Sequence, residues 1–203
     1  MKKIFILIFT FSINLIYSKE IQVNLLELYK ELHANPELSY QEYETSKKLA
    51  SLLESIGYQV TRNVGGNGVV ALLENGDGNT VMFRADMDGL PVEEKTGASY
   101  ASKNRVKNLD GEEVFTMHAG GHDVHMTVLI GVAEYLYKNK DTWQGKLLLV
   151  LEPAEEVSGG ARNMIKDGLF TKFPRPDFNL AFHVSASLQA GKVGYLPGWA
   201  MAN

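Results

Sequence analysis

Three of the chain's five histidines, His118, His122 and His125, fall within eight residues of the stretch FTMHAGGHDVHMTVLIG. Imidazoles at that density suit a divalent metal, whose protein ligands are His nitrogens, Cys thiolates and carboxylate oxygens. The chain has no cysteine. Thiolate ligation, a Cys nucleophile, a disulfide and acylation at Cys are therefore excluded. Carboxylates and further histidines would have to complete a site. Candidates stand at the ends of apolar runs. LLLVLEPAEEVSGG delivers Glu152, Glu155 and Glu156, FNLAFH delivers His183, and VMFRADMD delivers Asp86 and Asp88. Any one of these alone reads more simply as a solvated carboxylate, a hydrogen-bonded imidazole or a turn cap. Their pooling favours a metal site.

The elements that must position them are legible as periodicities. Ile21, Leu25, Leu28, Tyr29 and Leu32 recur at helical spacing, as do Leu49, Leu52, Leu53 and Ile56 before Gly57. Helices are expected over 20–34 and 42–56, and a third over 123–138. Short apolar runs at 69–73, 80–86, 146–153, 178–183 and 192–196, bounded by turn residues such as ENGDGN, read as strands. The run KLLLVLEP is apolar on both alternations, which predicts a central strand buried on both faces. Strands interleaved with helices imply an α/β layered sheet. In such sheets ligands gather beyond the carboxyl ends of the strands, where the candidate residues lie. No repeat, low-complexity linker or internal domain boundary is visible.

The net charge of −4, with no basic patch, argues against nucleic acid as a partner. The N-terminal MKKIFILIFTFSINLIYSKE has Lys2 and Lys3 followed by a mostly apolar stretch from Ile4 to Tyr17, broken by Thr10, Ser12 and Asn14. That is shorter than the ~20 apolar residues of a bilayer-spanning helix. It predicts an export signal over 1–18, a mature chain over 19–203, a periplasmic or secreted location, and no stable membrane span; the alternative is a buried first helix or membrane anchor.

Five ordered blocks then carry a resemblance. They are LHANPELSYQEYET (32–45), FRADMDGLPVEEKTGASYAS (83–102), MHAGGHDVHMTVLIGVAEYL (117–136), EPAEEVSGGARNMIKDGLF (152–170) and, more loosely, AFHVSASLQAGKVGY (181–195). The chain resembles the metal-dependent amidohydrolases of aminoacylase and carboxypeptidase type, in the branch holding hippurate hydrolase, the auxin-conjugate hydrolases and N-acyl-L-amino acid amidohydrolases. The resemblance implies a three-layer α/β/α fold with a mixed central sheet, of zinc-exopeptidase type. It implies hydrolysis of the amide bond of N-acyl amino acids or short peptides. It also implies two divalent ions (zinc, manganese, cobalt or nickel) that share a bridging ligand. On that match His122, Glu156 and His183 are metal ligands and Glu155 is the general base. Asp86, Asp88 and Asp123 would orient imidazoles or the loop that carries them. His118 and His125 are not ligands on the match, though His118, His125 or Asp123 could substitute for a missing ligand, and His33 is structural.

Two departures bear on activity. The branch pattern His-Ala-Cys-Gly-His-Asp has its cysteine where this chain has Gly120, which removes the bridging ligand. The family also carries an inserted lid domain and a C-terminal catalytic half with one more His ligand. The 203 residues resemble only the part before that lid, so residues 19–203 read as the N-terminal part of the catalytic domain. A lesser change puts Glu152 where Gln is usual. One metal or none is the expectation here. The alternative to an active hydrolase is an inactive fragment or a binding remnant. A homodimer or a complementing C-terminal half would cover the open sheet edge.

Overall fold

The computed structural model describes residues 22–194. The export signal expected over 1–18 lies outside them, as does the end of the strand expected over 192–196. Residues 192–194 are not in a strand. Among the described residues no helix is long and apolar enough to cross a membrane.

In chain order the elements are α1 (Leu25–Ala34), α2 (Tyr43–Ile56), β1 (Gln59–Val64), β2 (Gly68–Asn75), β3 (Thr80–Asp86), β4 (Arg105–Lys107), β5 (Glu113–Phe115), α3 (His122–Lys138), β6 (Gly145–Glu152), α4 (Gly160–Lys166) and β7 (Phe178–Ala181). Five strands form one sheet in the order β1-β2-β6-β3-β7, and β4 pairs with β5 as a separate hairpin. The sheet is mixed: β1 and β2 run antiparallel to their neighbours, whereas β3, β6 and β7 run parallel. The expected α/β/α architecture is the one observed.

Side chains alternate across the sheet with period two, and both faces are covered. Val69, Ala71, Leu147, Leu149 and Leu151 join α1, α2 and α3 in one apolar layer. Val70, Met82, Leu148 and Val150 face the other way, onto Met164 of α4 and Leu169. Full burial of one such side chain stabilises by about 1.5–3 kcal/mol. This double burial places β6 at the sheet centre, as its apolar run predicts. At the far edge β7 leaves Phe178 and Leu180 exposed.

Several boundaries and elements differ from the sequence expectations. α1 starts at Leu25, later than expected, because the Asn24 side chain accepts the Glu27 amide and caps the helix there. β7 ends at Ala181, so His183 sits two residues past the strand in an irregular segment. β1, α4 and the β4–β5 hairpin were not expected. β1 (QVTRNV) has a largely polar, half-solvated pattern, and α4 is only seven residues long.

Candidate metal centre

Because β3, β6 and β7 are parallel, their carboxyl ends share one edge, where Asp86 pairs in register with Glu152. The amino end of α3 points into the same edge and carries His122, Asp123 and His125 in its first two turns. Gly121 precedes it with φ 81°, and a Cβ there would lie 2.2 Å from Val184 Cγ2. Only glycine allows both that left-handed turn and the close approach of the segment after β7. This packing brings His183 beside α3.

His122 is the centre of the arrangement and is almost wholly buried. Its Nδ1–H donates to the Asp88 carbonyl oxygen at 2.8 Å, which leaves Nε2 with the lone pair. Nε2 has no hydrogen-bond partner. Around it stand three carboxylates, at 3.7 Å (Glu155 Oε2), 3.7 Å (Glu156 Oε1) and 3.9 Å (Asp86 Oδ2). These are too far for hydrogen bonds and surround a shared gap. An orphaned buried nitrogen facing three carboxylates costs stability unless something fills the gap, and a divalent cation fits that donor set. Among the described residues, two groups of three present ligand atoms mutually within 4.8 Å: His122 with His125 and His183, and Asp86 with His122 and Glu155.

The electrostatics agree with a cation site. Burial alone would lower the pKa of His122. The hydrogen bond to Asp88 and the charges of Asp86, Asp88 and Glu156 outweigh burial and raise it. For Asp86 burial acts upwards, yet His125, Arg84 and His122 hold the carboxyl below its usual value. Asp88 is likewise lowered against its burial by His122, by the Ser39 hydroxyl at 2.6 Å and by the Glu156 amide. Glu156 is raised, first by burial and then by Glu155 and Asp88. His122 and His183 oppose that rise without overcoming it. His118 is driven down to about 4, chiefly by burial, and is a neutral imidazole with neither ring nitrogen bonded.

The turn between β6 and the glutamate pair is held from outside. Ala154 adopts φ 49°, a strained region for a residue with a Cβ. The buried Glu42 carboxylate accepts the Ala154 amide at 2.7 Å and the Tyr40 amide at 3.0 Å, and the Asn67 side chain donates to it at 2.9 Å. The amides of Gly159 and Gly160 close onto the Ala154 carbonyl. Glu155 and Glu156 therefore leave a fixed turn. Arg84 bridges Asp86 and Glu152, neutralising two carboxylates that face each other across the sheet.

Of the residues singled out from the sequence, Asp86, His122, Glu155, Glu156 and His183 gather at this edge, with Asp88 behind His122. Asp123 turns away, and its Oδ2 accepts from His33 Nδ1 at 2.6 Å. His33 lies between Asp123 and Glu94, which its Nε2 meets at 3.0 Å. Glu42 and Arg84 are contributors the sequence did not single out, and His125 is one it offered only as a substitute for a missing ligand. His125 stands three residues after His122 on a helix, a spacing that shares a face. Arg84 precedes Asp86 by two residues on a strand, also the same face.

A mixed α/β sheet with a carboxylate and imidazole cluster at its carboxyl edge defines an α/β protein with a candidate metal site at the strand ends. The chain belongs to Peptidase family M20/M25/M40, whose pattern matches residues 82–198. It is 40% identical over 188 residues to thermostable carboxypeptidase 2 of Saccharolobus solfataricus, covering 91% of this chain and 45% of that protein. It is 40% identical over 165 residues to hippurate hydrolase of Campylobacter jejuni, covering 81% and 40%. Among solved structures, the Bacillus subtilis YXEP protein, described as a dinuclear metal binding peptidase from M20 family, superposes with TM-score 0.71 at 32% identity. That match covers 81% of this chain and 43% of the YXEP chain. The chain thus spans about half the length of the curated relatives it matches.

Proposed function

We propose that the chain carries the metal-binding part of a hydrolase that cleaves the amide bond of N-acyl amino acids or short peptides. The observation that carries this reading is the orphaned, buried Nε2 of His122 with three carboxylates held 3.7–3.9 Å away. The chemistry fits the relatives' names, which include a carboxypeptidase, a hippurate hydrolase and an N-acetyl-L-cysteine deacetylase. His122, Glu156 and His183 would hold zinc, manganese, cobalt or nickel. A divalent ion bound there supplies a lowered pKa for water and polarisation of the scissile carbonyl. Glu155, on the fixed turn after β6, accepts the water's proton and passes it to the leaving nitrogen. Asp88 holds the ring of His122 by its carbonyl, so that Nε2 faces the gap. Asp86 and Arg84 set the charge behind it.

Gly120 favours a second reading, binding without turnover. A Cβ at that position would lie 2.6 Å from Glu156 Oε1 and 3.2 Å from His122 Nε2, so a side chain there would enter the gap and glycine leaves that position unfilled. In either reading the exposed Phe178 and Leu180 on β7 would be covered by a second copy or by a complementing C-terminal half. We further propose export, with the mature chain beginning near Lys19. Mass spectrometry of the native protein should find that start outside the cytoplasm, and intact Met1 in a cytosolic pool would contradict it. The test of function is metal content together with hydrolysis of N-acetyl and N-benzoyl amino acids, in this chain and in one joined to a C-terminal half. Bound metal with hydrolysis in the joined form supports the hydrolase, bound metal with none in either supports binding alone, and no bound metal in either contradicts both.

A further inference from the structure

Two strained stretches of backbone share one acceptor. Among the described residues, those other than glycine with a left-handed backbone are Tyr40 (φ 67°), Asn63 (φ 60°), Ala154 (φ 49°) and Ser158 (φ 54°). The amides of Tyr40 and Ala154 donate to the same oxygen, Glu42 Oε1, at 3.0 and 2.7 Å. Glu42 is fully buried, and its other oxygen accepts from the Asn67 side chain at 2.9 Å. Such conformations persist only where their surroundings over-determine them, and they gather at functional sites. Glu42 closes the connector between α1 and α2, 112 residues before Ala154. The same connector reaches the loop after β3. The Ser39 hydroxyl donates to Asp88 Oδ2 at 2.6 Å, an oxygen that also accepts the Glu156 amide at 3.1 Å. The Glu37 carbonyl accepts the Gly89 amide at 2.7 Å. Tyr40 lies against Gly159, where a Cβ would collide with its hydroxyl, and the Gly159 amide closes the turn onto the Ala154 carbonyl.

We propose that Glu42 is a positioning residue of the metal centre: it holds Ala154 in the left-handed region and so sets where Glu155 and Glu156 leave the turn. This rests on the reading of the edge as a metal centre with Glu156 as a ligand. Without the carboxylate, the Tyr40 and Ala154 amides lose their acceptor, and a buried amide left unpaired is costly. The strain at Ala154 is then relieved by rotation of its backbone out of the left-handed region. That rotation re-aims the chain from Glu155 onwards and displaces Glu156 Oε1, which stands 3.7 Å from His122 Nε2. A zinc–oxygen bond of about 2.0–2.2 Å tolerates little such displacement. Glycine enters the left-handed region without steric cost. Ala154→Gly therefore removes the strain that Glu42 opposes, and the turn should depend less on Glu42 in that variant.

The test is the zinc affinity of the full chain by calorimetric titration, in variants that circular dichroism shows to be folded. Glu42→Ala is expected to weaken binding by about 10–100-fold, the range for loss of a group that supports a ligand. Leu53→Ala is the control for lost stability. It opens a cavity in the apolar layer of α1, α2 and α3, and it should bind zinc as the unaltered chain does. In an Ala154→Gly background the same Glu42→Ala change should weaken binding markedly less. Unchanged affinity in Glu42→Ala, an equal loss in Leu53→Ala, or an undiminished effect of Glu42→Ala in the Ala154→Gly background overturns the proposal and leaves the metal-centre reading intact. If Glu42→Ala does not fold, Glu42→Gln takes its place, since it keeps one acceptor oxygen without the charge. It should bind zinc more weakly than Leu53→Ala, and equal affinity of the two overturns the proposal. No zinc bound by the unaltered chain overturns the proposal together with the function it rests on.

Discussion

Two buried histidines lie on either side of the α3 amino terminus and meet carboxylates in opposite ways. His33 is clasped: Asp123 at 2.6 Å and Glu94 at 3.0 Å accept from both of its nitrogens. His122 is surrounded but untouched on Nε2, with three carboxylate oxygens held between 3.7 and 3.9 Å. The first is a completed ion pair that ties α1 to α3. The second is a gap with donor atoms around it. Neighbouring residues serve the two sites, since Asp123 completes the His33 pair and His122 lines the gap. The difference teaches that an imidazole beside carboxylates becomes informative about metal when the distances are too long for hydrogen bonds and the nitrogen is left orphaned.

The comparison can be sharpened first at the gap. Glu155 and Glu156 are adjacent and chemically alike, yet the account gives them different roles. In a chain with activity, Glu155→Gln should keep its metal and lose about 10²–10⁴ in rate, the usual cost of a positioned general base. Glu156→Gln should lose metal, read by elemental analysis. The reverse pattern would swap the roles, and no effect from either would make the pair solvated surface. Behind the gap, Asp88→Asn should weaken metal binding by about 10–100-fold in a calorimetric titration, because it removes the negative charge 3.4 Å from His122 Nδ1 while the backbone carbonyl that accepts from that ring stays.

The clasped histidine should behave as a stability element. Removing one partner of a buried pair leaves the other uncompensated, so His33→Gln should cost about 3 kcal/mol in denaturant unfolding without lowering metal content. Burial alone would lower the pKa of His33, but its hydrogen bonds to Glu94 and Asp123 outweigh burial and raise it. The contribution is therefore fully present below the ordinary histidine range and is lost as pH rises through the raised value. Glu94 is lowered, because its bonds to Thr96 and His33 and the Ser102 amide outweigh burial, so its share is lost only as pH falls through that lowered value. The stability gap between the unaltered chain and His33→Gln should narrow on the alkaline side. A gap that widens there would contradict the assignment.

A smaller effect is expected at position 120. A thiolate placed there would point at Glu156 and His122, and the flexible end of Glu156 would have to yield. In a chain completed by a C-terminal half, Gly120→Cys should raise metal occupancy towards two. Equal metal content before and after would count against that.

Much of this was legible in the residues, and the failures have physical causes. β6 was plain because both its faces are buried, so KLLLVLE is apolar at every alternation. The convergence of Asp86, Glu155, Glu156 and His183 followed from their places after apolar runs. β1 escaped notice because its outward positions are solvated and its sequence QVTRNV reads as polar. The split between His33 and His122 was legible only through the resemblance, because in the residues themselves it depends on distances of an ångström set by packing across 90 residues. The surroundings of His125 were hidden for the same reason: its i+3 spacing shows a shared face, but not that its Nε2 accepts the Val184 amide.

The most direct test of the central claim is a zinc titration of three proteins: the unaltered chain, His122→Asn and His33→Asn. The account predicts at least one tightly bound ion in the unaltered chain. It predicts loss of that ion in His122→Asn and its retention in His33→Asn, provided that variant is folded by circular dichroism. No zinc bound by the unaltered chain, or zinc kept in His122→Asn and lost from folded His33→Asn, would contradict it.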